Sequence, residues 1–184
     1  RAPVNIPNLI SLGRLLATPV MVWLILDARL MEAFVLFIVA GVSDAVDGFI
    51  AKRFNAETAL GKFLDPLADK ALLVCVYVSL AQADFLAIWL AIMVVFRDAV
   101  IVGGAILFHT LSHSLTMRPL RISKVNTAAQ IILAAAVLGV NGFEVEGELL
   151  IEVLVYVVAA TTLLSGGMYV ARWSRAAALL ENGK

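Results

Sequence analysis

Apolar residues fall along this chain in six long runs separated by short polar stretches. The runs predict helices at roughly Leu12–Leu26 (bent near Pro19), Ala33–Arg53, Leu60–Ala81, Phe85–Phe108, Lys124–Val140 and Leu149–Trp173. They are too long for strands and lack the period-two alternation of membrane β-barrels. A helical crossing of a bilayer takes ~20 residues, which such runs suit. Ahead of the first run, Asn5-Ile-Pro-Asn-Leu-Ile-Ser reads as a short amphipathic helix lying in the interface, with Pro7 near its first turn. The expected fold is an all-α membrane protein: six transmembrane helices and an N-terminal interfacial amphipathic helix, in a single domain over residues 1–184. No internal repeat or low-complexity segment interrupts it.

Composition agrees with that pattern. Of 184 residues, 62% are apolar and 15% charged, against about 25% charged in soluble domains. Mean hydropathy is +0.97, so lipid is the expected solvent. A net charge of zero gives no electrostatic footprint for nucleic acid. Cys75, the one cysteine, lies in an apolar run and reads as a small core residue. The first apolar stretch carries Asn5, Pro7, Asn8 and Arg14 and has no small-residue cleavage site. Internal start-transfer segments are therefore expected, with no cleaved signal peptide.

Charge placement tests the six-span parse. It puts Arg1, Arg14, Lys52, Arg53, Lys62, Lys70, Arg118, Arg121, Lys124, Arg172, Arg175 and Lys184 on one side. The other side has Arg29 alone among basic residues, with Asp27, Glu32, Asp84, Glu144, Glu146, Glu148 and Glu152. This positive-inside bias places both termini in the cytoplasm, and losing one span would scramble it. A multi-pass protein of a bacterial inner membrane is expected; a mitochondrial inner membrane stays open.

The candidate chemistry lies at the cytoplasmic ends of the second and third predicted helices. Asp44 and Asp47 are three residues apart, and Asp65 and Asp69 are four apart, so each pair projects from one helical face. A short connection makes the two helices antiparallel neighbours, and the four carboxylates then converge. Acids at the edge of a membrane span are costly and usually functional. Four together repel one another and call for cations, and oxygen-only ligands suit Mg²⁺ or Mn²⁺ better than zinc. Two such ions could hold a pyrophosphate and activate an attacking oxygen. The plainer alternative is neutralisation by Lys52, Arg53, Lys62 and Lys70. Gly48 and Gly61 allow close helix packing, or, with Ala51, leave room for a flat base, while Lys52 and Arg53 meet a pyrophosphate.

From Asp44 to Asp69 the chain reads D-x2-D-G-x2-A-K-x8-G-x3-D-x3-D. This resembles the signature of the CDP-alcohol phosphatidyltransferases at every fixed position but one. The family's basic residue after the alanine is arginine; here it is Lys52, followed by Arg53, which leaves open which of the two contacts the phosphates. The resemblance implies that Asp44, Asp47, Asp65 and Asp69 share the metal ions, two of Mg²⁺ or Mn²⁺. It implies that Asp69 is the general base, and that Gly48, Ala51 and Gly61 line the cytidine pocket. It also implies a six-helix membrane homodimer.

Outside the signature, four segments resemble the CMP-forming cardiolipin synthases of the family. They are Ile6-Pro-Asn-Leu-Ile-Ser-x2-Arg14, Ala59-Leu-Gly-Lys-Phe-Leu-Asp-Pro-Leu-Ala-Asp-Lys, Phe96-Arg-Asp98 and Ile122-Ser-Lys-Val-Asn-Thr-Ala-Ala-Gln130. The implied reaction joins CDP-diacylglycerol to phosphatidylglycerol and releases CMP. Phosphatidylglycerophosphate synthases, whose acceptor is glycerol 3-phosphate, share the N-terminal and aspartate motifs. The other class of cardiolipin synthase uses paired His-x-Lys motifs, and neither His109 nor His113 begins one. Both acceptors carry a phosphate. Arg118, Arg121 and Lys124, helped by Ser123 and Asn126, form either a clamp for it or a positive-inside anchor. Arg97, inside the fourth run, pairs with Asp98 or an aspartate of the cluster, or else faces a phospholipid headgroup. A divalent-cation transporter is the reading from another class. Such sites favour the midplane and inverted repeats, whereas these acids flank a loop and no repeat is visible.

Overall fold

The computed structural model describes residues 6–54, 61–111 and 121–182, with side chains described over 12–46, 70–104 and 121–175. Six helices follow in order: α1 Ile6–Leu26, α2 Leu30–Phe54, α3 Gly61–Gln82, α4 Ile88–Leu111, α5 Arg121–Gly142 and α6 Glu148–Asn182. There is no strand among the described residues.

Most boundaries fall within three residues of the sequence expectation, and two depart further for identifiable reasons. From Ile6 on, the segment expected to lie separately in the interface is the first part of α1. Pro7 stands one residue inside that helix, where its missing N–H costs nothing, and nothing between it and Leu12 breaks the helix. Helix α6 runs on past Trp173 to Asn182. The apolar run ends at Trp173, but Arg175-Ala-Ala-Ala-Leu-Leu-Glu are all strong helix formers, so the helix outlasts the hydropathy.

Helices α5 (Arg121–Gly142, mean hydropathy 1.5) and α6 (its Glu148–Arg175 part, 2.0) are each long and apolar enough to cross a membrane. The α6 window is only 22% buried, the reverse of a core helix in a soluble protein. Leu12–Leu26 and Lys70–Gln82 are shorter apolar stretches.

The residues group into two compact units. The first comprises residues 1–88 and 134–147. In it α1 packs against both α2 and α3. Arg14, Thr18, Met21 and Ile25 are buried along one row of α1, and Leu12, Leu16, Val20 and Trp23 are exposed along another. On α2 the buried row is Leu30, Ala33, Phe37 and Ala40; on α3 it is Leu73, Val76, Tyr77 and Leu80. The end of α5 closes on the start of α2. Phe143 meets Phe34 edge-on at 5.5 Å between ring centroids. Gly142 lies so close to the Leu30–Met31 backbone that a Cβ there would fall 2.8 Å from the Met31 nitrogen.

Three helices of this unit end alike. Ala28, Asp84 and Glu144 have φ of 57°, 61° and 52°, the left-handed conformation that favours glycine. After each, the next amide reaches back to an orphan carbonyl: Arg29 to Leu24 and Phe85 to Leu80 at 2.9 Å, Val145 to Val140 at 3.1 Å. These are Schellman ends to α1, α3 and α5, built without glycine.

The second unit comprises residues 89–133 and 148–184. Its buried row on α4 is Leu90, Val94 and Arg97 with Asp98; on α5 it is Asn126, Ala129, Gln130 and Leu133; on α6 it is Val158, Thr162, Ser165 and Tyr169. Apolar at one end, these rows turn polar at the other. Trp173 of α6 covers Gly104 of α4 so closely that any Cβ at 104 would enter the indole ring.

Candidate active site

The first unit carries the acidic residues. Asp44 and Asp47 lie on α2, Asp65 and Asp69 in the first turns of α3. Of their side chains, that of Asp44 is described. It extends the buried row of α2 by one turn, four residues beyond Ala40, and is 40% exposed. Arg14 Nη2 of α1 lies 2.6 Å from its Oδ1, and the Arg14 side chain is 3% exposed. A half-exposed carboxylate presents hard oxygen donors to its surroundings. That is the chemistry a hard divalent cation selects, so Asp44 fits a share in a Mg²⁺ or Mn²⁺ site. The side chains of Asp47, Gly48, Ala51, Lys52, Arg53, Gly61, Asp65 and Asp69 lie outside the described residues, as does Arg118 altogether.

Sequence reasoning placed Arg14 in the cytoplasmic positive band and missed its contact with Asp44. A signal was present: Arg14 interrupts an apolar stretch, where a cation needs a buried partner. Thr18, one turn on, donates its hydroxyl to the Arg14 carbonyl at 3.1 Å. Pro19, lacking an N–H, leaves the Leu15 carbonyl without its usual helical donor.

The second unit carries a buried polar network. Arg97 is 4% exposed. Its Nη1 donates to Asp98 Oδ1 at 2.5 Å, and its Nη2 donates to Ser123 Oγ and Ser165 Oγ, both at 2.6 Å. Of the partners weighed for Arg97, the structure shows Asp98. One turn deeper, Asn126 is fully buried. Its Oδ1 accepts from Thr161 at 2.8 Å and Thr162 at 2.9 Å, while its Nδ2 has no partner among the described residues. Arg97, Ser123 and Asn126 therefore come together through α6. Ser165, Thr161 and Thr162, which sequence reasoning did not single out, complete the network. Hydroxyls within an apolar run of α6 were the available signal. Arg121 and Lys124 are exposed in the first turn of α5, where unpaired amides and the helix dipole add to their attraction for an anion.

Outside these networks, Arg29 bonds Glu32 at 2.8 Å and lies over the Trp23 ring, 5.4 Å from its centroid. The hydrogen bond from Arg29 holds the Glu32 carboxyl below the usual glutamate range.

Known proteins resemble this chain over most of its length. A family model described as CDP-alcohol phosphatidyltransferase matches residues 4–173. A chloroplastic CDP-diacylglycerol–glycerol-3-phosphate 3-phosphatidyltransferase of Oryza sativa is 37% identical over 180 residues, 88% of this chain and 55% of that protein. The cardiolipin synthase (CMP-forming) of Rattus norvegicus is 37% identical over 183 residues, 91% of this chain and 61% of that protein. The chain thus spans little more than half the length of these two relatives. The CDP-diacylglycerol–glycerol-3-phosphate 3-phosphatidyltransferase of Bacillus subtilis is 31% identical over 181 residues, 90% of this chain and 93% of that protein. With the family model running through both acid-bearing helices and the polar network alike, the chain belongs to the CDP-alcohol phosphatidyltransferase family.

Proposed function

We propose that this chain transfers a phosphatidyl group from CDP-diacylglycerol to phosphatidylglycerol, forming cardiolipin and releasing CMP. The observation that carries the reading is Asp44: a half-exposed carboxylate, paired with the buried Arg14, at the head of the family's aspartate motif. Asp69 stands four residues before Leu73 on α3, and Asp44 four residues after Ala40 on α2. Helix α1 packs against both. Asp44, Asp47, Asp65 and Asp69 would hold two ions of Mg²⁺ or Mn²⁺. When bound, these supply Lewis-acid stabilisation of the charge that develops on the pyrophosphate oxygens.

The protein's own groups do the rest. Lys52 and Arg53 bind the pyrophosphate, and Gly48, Ala51 and Gly61 leave space for the cytosine ring. Asp69 takes the proton of a primary hydroxyl on the acceptor. That oxygen forms a bond to the phosphorus bearing diacylglycerol, the pyrophosphate P–O bond breaks, and CMP leaves with its electron pair. Arg118, Arg121 and Lys124 bind the acceptor phosphate. Ser123 and Asn126 line the same site, and Arg97 holds Ser123 in place while adding positive charge. The same reading places six helices across a bacterial or mitochondrial inner membrane, in a homodimer, with both termini and the acids on the cytoplasmic or equivalent side. The exposed apolar rows of α1 and α6 and the sorting of basic residues support it.

Glycerol 3-phosphate is the second acceptor to test, because relatives named for that reaction match as well as those named for cardiolipin synthesis. The purified chain, given CDP-diacylglycerol, Mg²⁺ and each acceptor in turn, should release CMP and yield cardiolipin by mass with phosphatidylglycerol. Phosphatidylglycerophosphate as the sole product would move the assignment to the second acceptor. Absence of CMP with both would end the enzyme reading and leave cation transport. Asp69→Asn should abolish CMP release with an unchanged circular dichroism spectrum.

A further inference from the structure

Arg14 is a permanent cation, 4% exposed, in an apolar helix. A guanidinium in such a place is stable only while an anion faces it. Its Nη2 stands 2.6 Å from Asp44 Oδ1, and α1, which carries it, packs against both helices that bear the acidic residues. The same carboxylate that steadies Arg14 is the one proposed above to hold a divalent cation. A carboxylate oxygen at that distance from a guanidinium has part of its charge already neutralised, and a dication arriving beside it meets a fixed positive neighbour.

We propose that Arg14 is the resident counter-cation of the acidic cluster: it pairs with Asp44 when no metal is bound, and opposes metal binding at that carboxylate. The inference rests on the metal-site reading given under Proposed function. Arg14 is thus a positioning residue acting through Asp44. It compensates the Asp44 carboxylate in the metal-free form and so lowers the affinity for the metal. Linkage fixes the sign: a pairing that stabilises the metal-free form must weaken binding of whatever displaces it. A plain structural post would destabilise both forms equally when removed. A group that merely aimed Asp44 at the metal would lower metal affinity when removed. The counter-cation alone makes affinity rise.

The test uses the full chain in detergent, with Mn²⁺ alone as the probe. Binding is followed by the loss of free-ion electron paramagnetic resonance signal, and thermal unfolding is measured in EDTA and in saturating Mn²⁺. Arg14→Met should bind Mn²⁺ about tenfold more tightly than the parent, a coupling of ordinary size. Its melting temperature should fall in EDTA and largely recover in Mn²⁺. Arg14→Lys keeps the charge but loses the planar fork, so it should show a smaller gain of the same sign; it carries the test if Arg14→Met folds in neither condition. Unchanged or weaker Mn²⁺ binding in both variants, with a parent that binds, overturns the counter-cation role and leaves the metal site standing. A parent that binds no Mn²⁺, or binds it as well after Asp44→Asn, overturns the metal site and this inference with it.

Discussion

Replacing Arg97 by methionine should destabilise the chain severely, before any effect on catalysis is considered. The guanidinium donates three hydrogen bonds, to Asp98, Ser123 and Ser165, from a position 4% exposed. Methionine fills much of its volume but donates none of them. The two serine bonds tie α4 to α5 and α6, and such interhelical bonds are worth roughly 0.6–1.7 kcal/mol each. Asp98, whose side chain is 11% exposed, matters more. Removing one partner of a buried ion pair costs about 3–5 kcal/mol, because the remaining charge loses its compensation. For a chain of this length that corresponds to a fall in melting temperature of about 6–20 °C. Circular dichroism at 222 nm during thermal unfolding in detergent reads it directly. Ser165→Ala removes one hydroxyl and should cost only about 1 kcal/mol. Arg97→Met combined with Asp98→Asn should be less damaging than Arg97→Met alone, since no buried charge is left behind. A loss in Arg97→Met no larger than in Ser165→Ala, or a double variant whose losses simply add, would refute the assignment of Arg97 and Asp98 as a coupled pair.

Further substitutions probe the scaffold. Ala28→Gly relieves a φ of 57° at the end of α1 and should stabilise by about 1 kcal/mol in equilibrium unfolding; a loss would mean that the left-handed turn carries no strain. Gly142→Ala places a Cβ 2.8–2.9 Å from Leu30 and Met31 backbone atoms and should cost about 1–3 kcal/mol. Gly167→Ala, with nothing within 4 Å, is the control and should be neutral or stabilising. Glu32 has a lowered pKa from its bond to Arg29, so its contribution is present above the ordinary glutamate value and fades as pH falls through the lowered one. Glu32→Gln should therefore lower the melting temperature slightly near neutral pH and leave it unchanged in acid.

What the sequence disclosed follows physical lines. The six helices are legible because each is a long, largely apolar run, and the largest shift of a C-terminal end, after Trp173, comes where hydropathy and helix propensity part company. The N-terminal segment reads as separate because polar Asn5 and Asn8 and a proline look like an interface signal; yet a proline in the first turn starts a helix as readily as it ends one. Asp44 was legible from its spacing to Asp47, which is local. Its pairing with Arg14 is a contact across thirty residues and between helices, and no periodicity encodes it. The same holds for Ser165 and Thr162: hydroxyls in an apolar run announce that something polar faces them, but not that it is Arg97 or Asn126. Ala28, Asp84 and Glu144 escaped because the left-handed helix end they adopt is written by glycine in most chains, and here it is not.

The proposed chemistry depends on hard cations gathered between α2 and α3. Crystals of the chain grown with Mn²⁺ would locate the ions by anomalous scattering. Two peaks are expected, roughly 3.5–4 Å apart, within coordination distance of the Asp44, Asp47, Asp65 and Asp69 carboxylates, with Arg14 shifted from its metal-free contact. Peaks confined to the acidic loops around Glu144 and Glu148, or carboxylates of α2 and α3 directed away from one another with no ion between them, would contradict it.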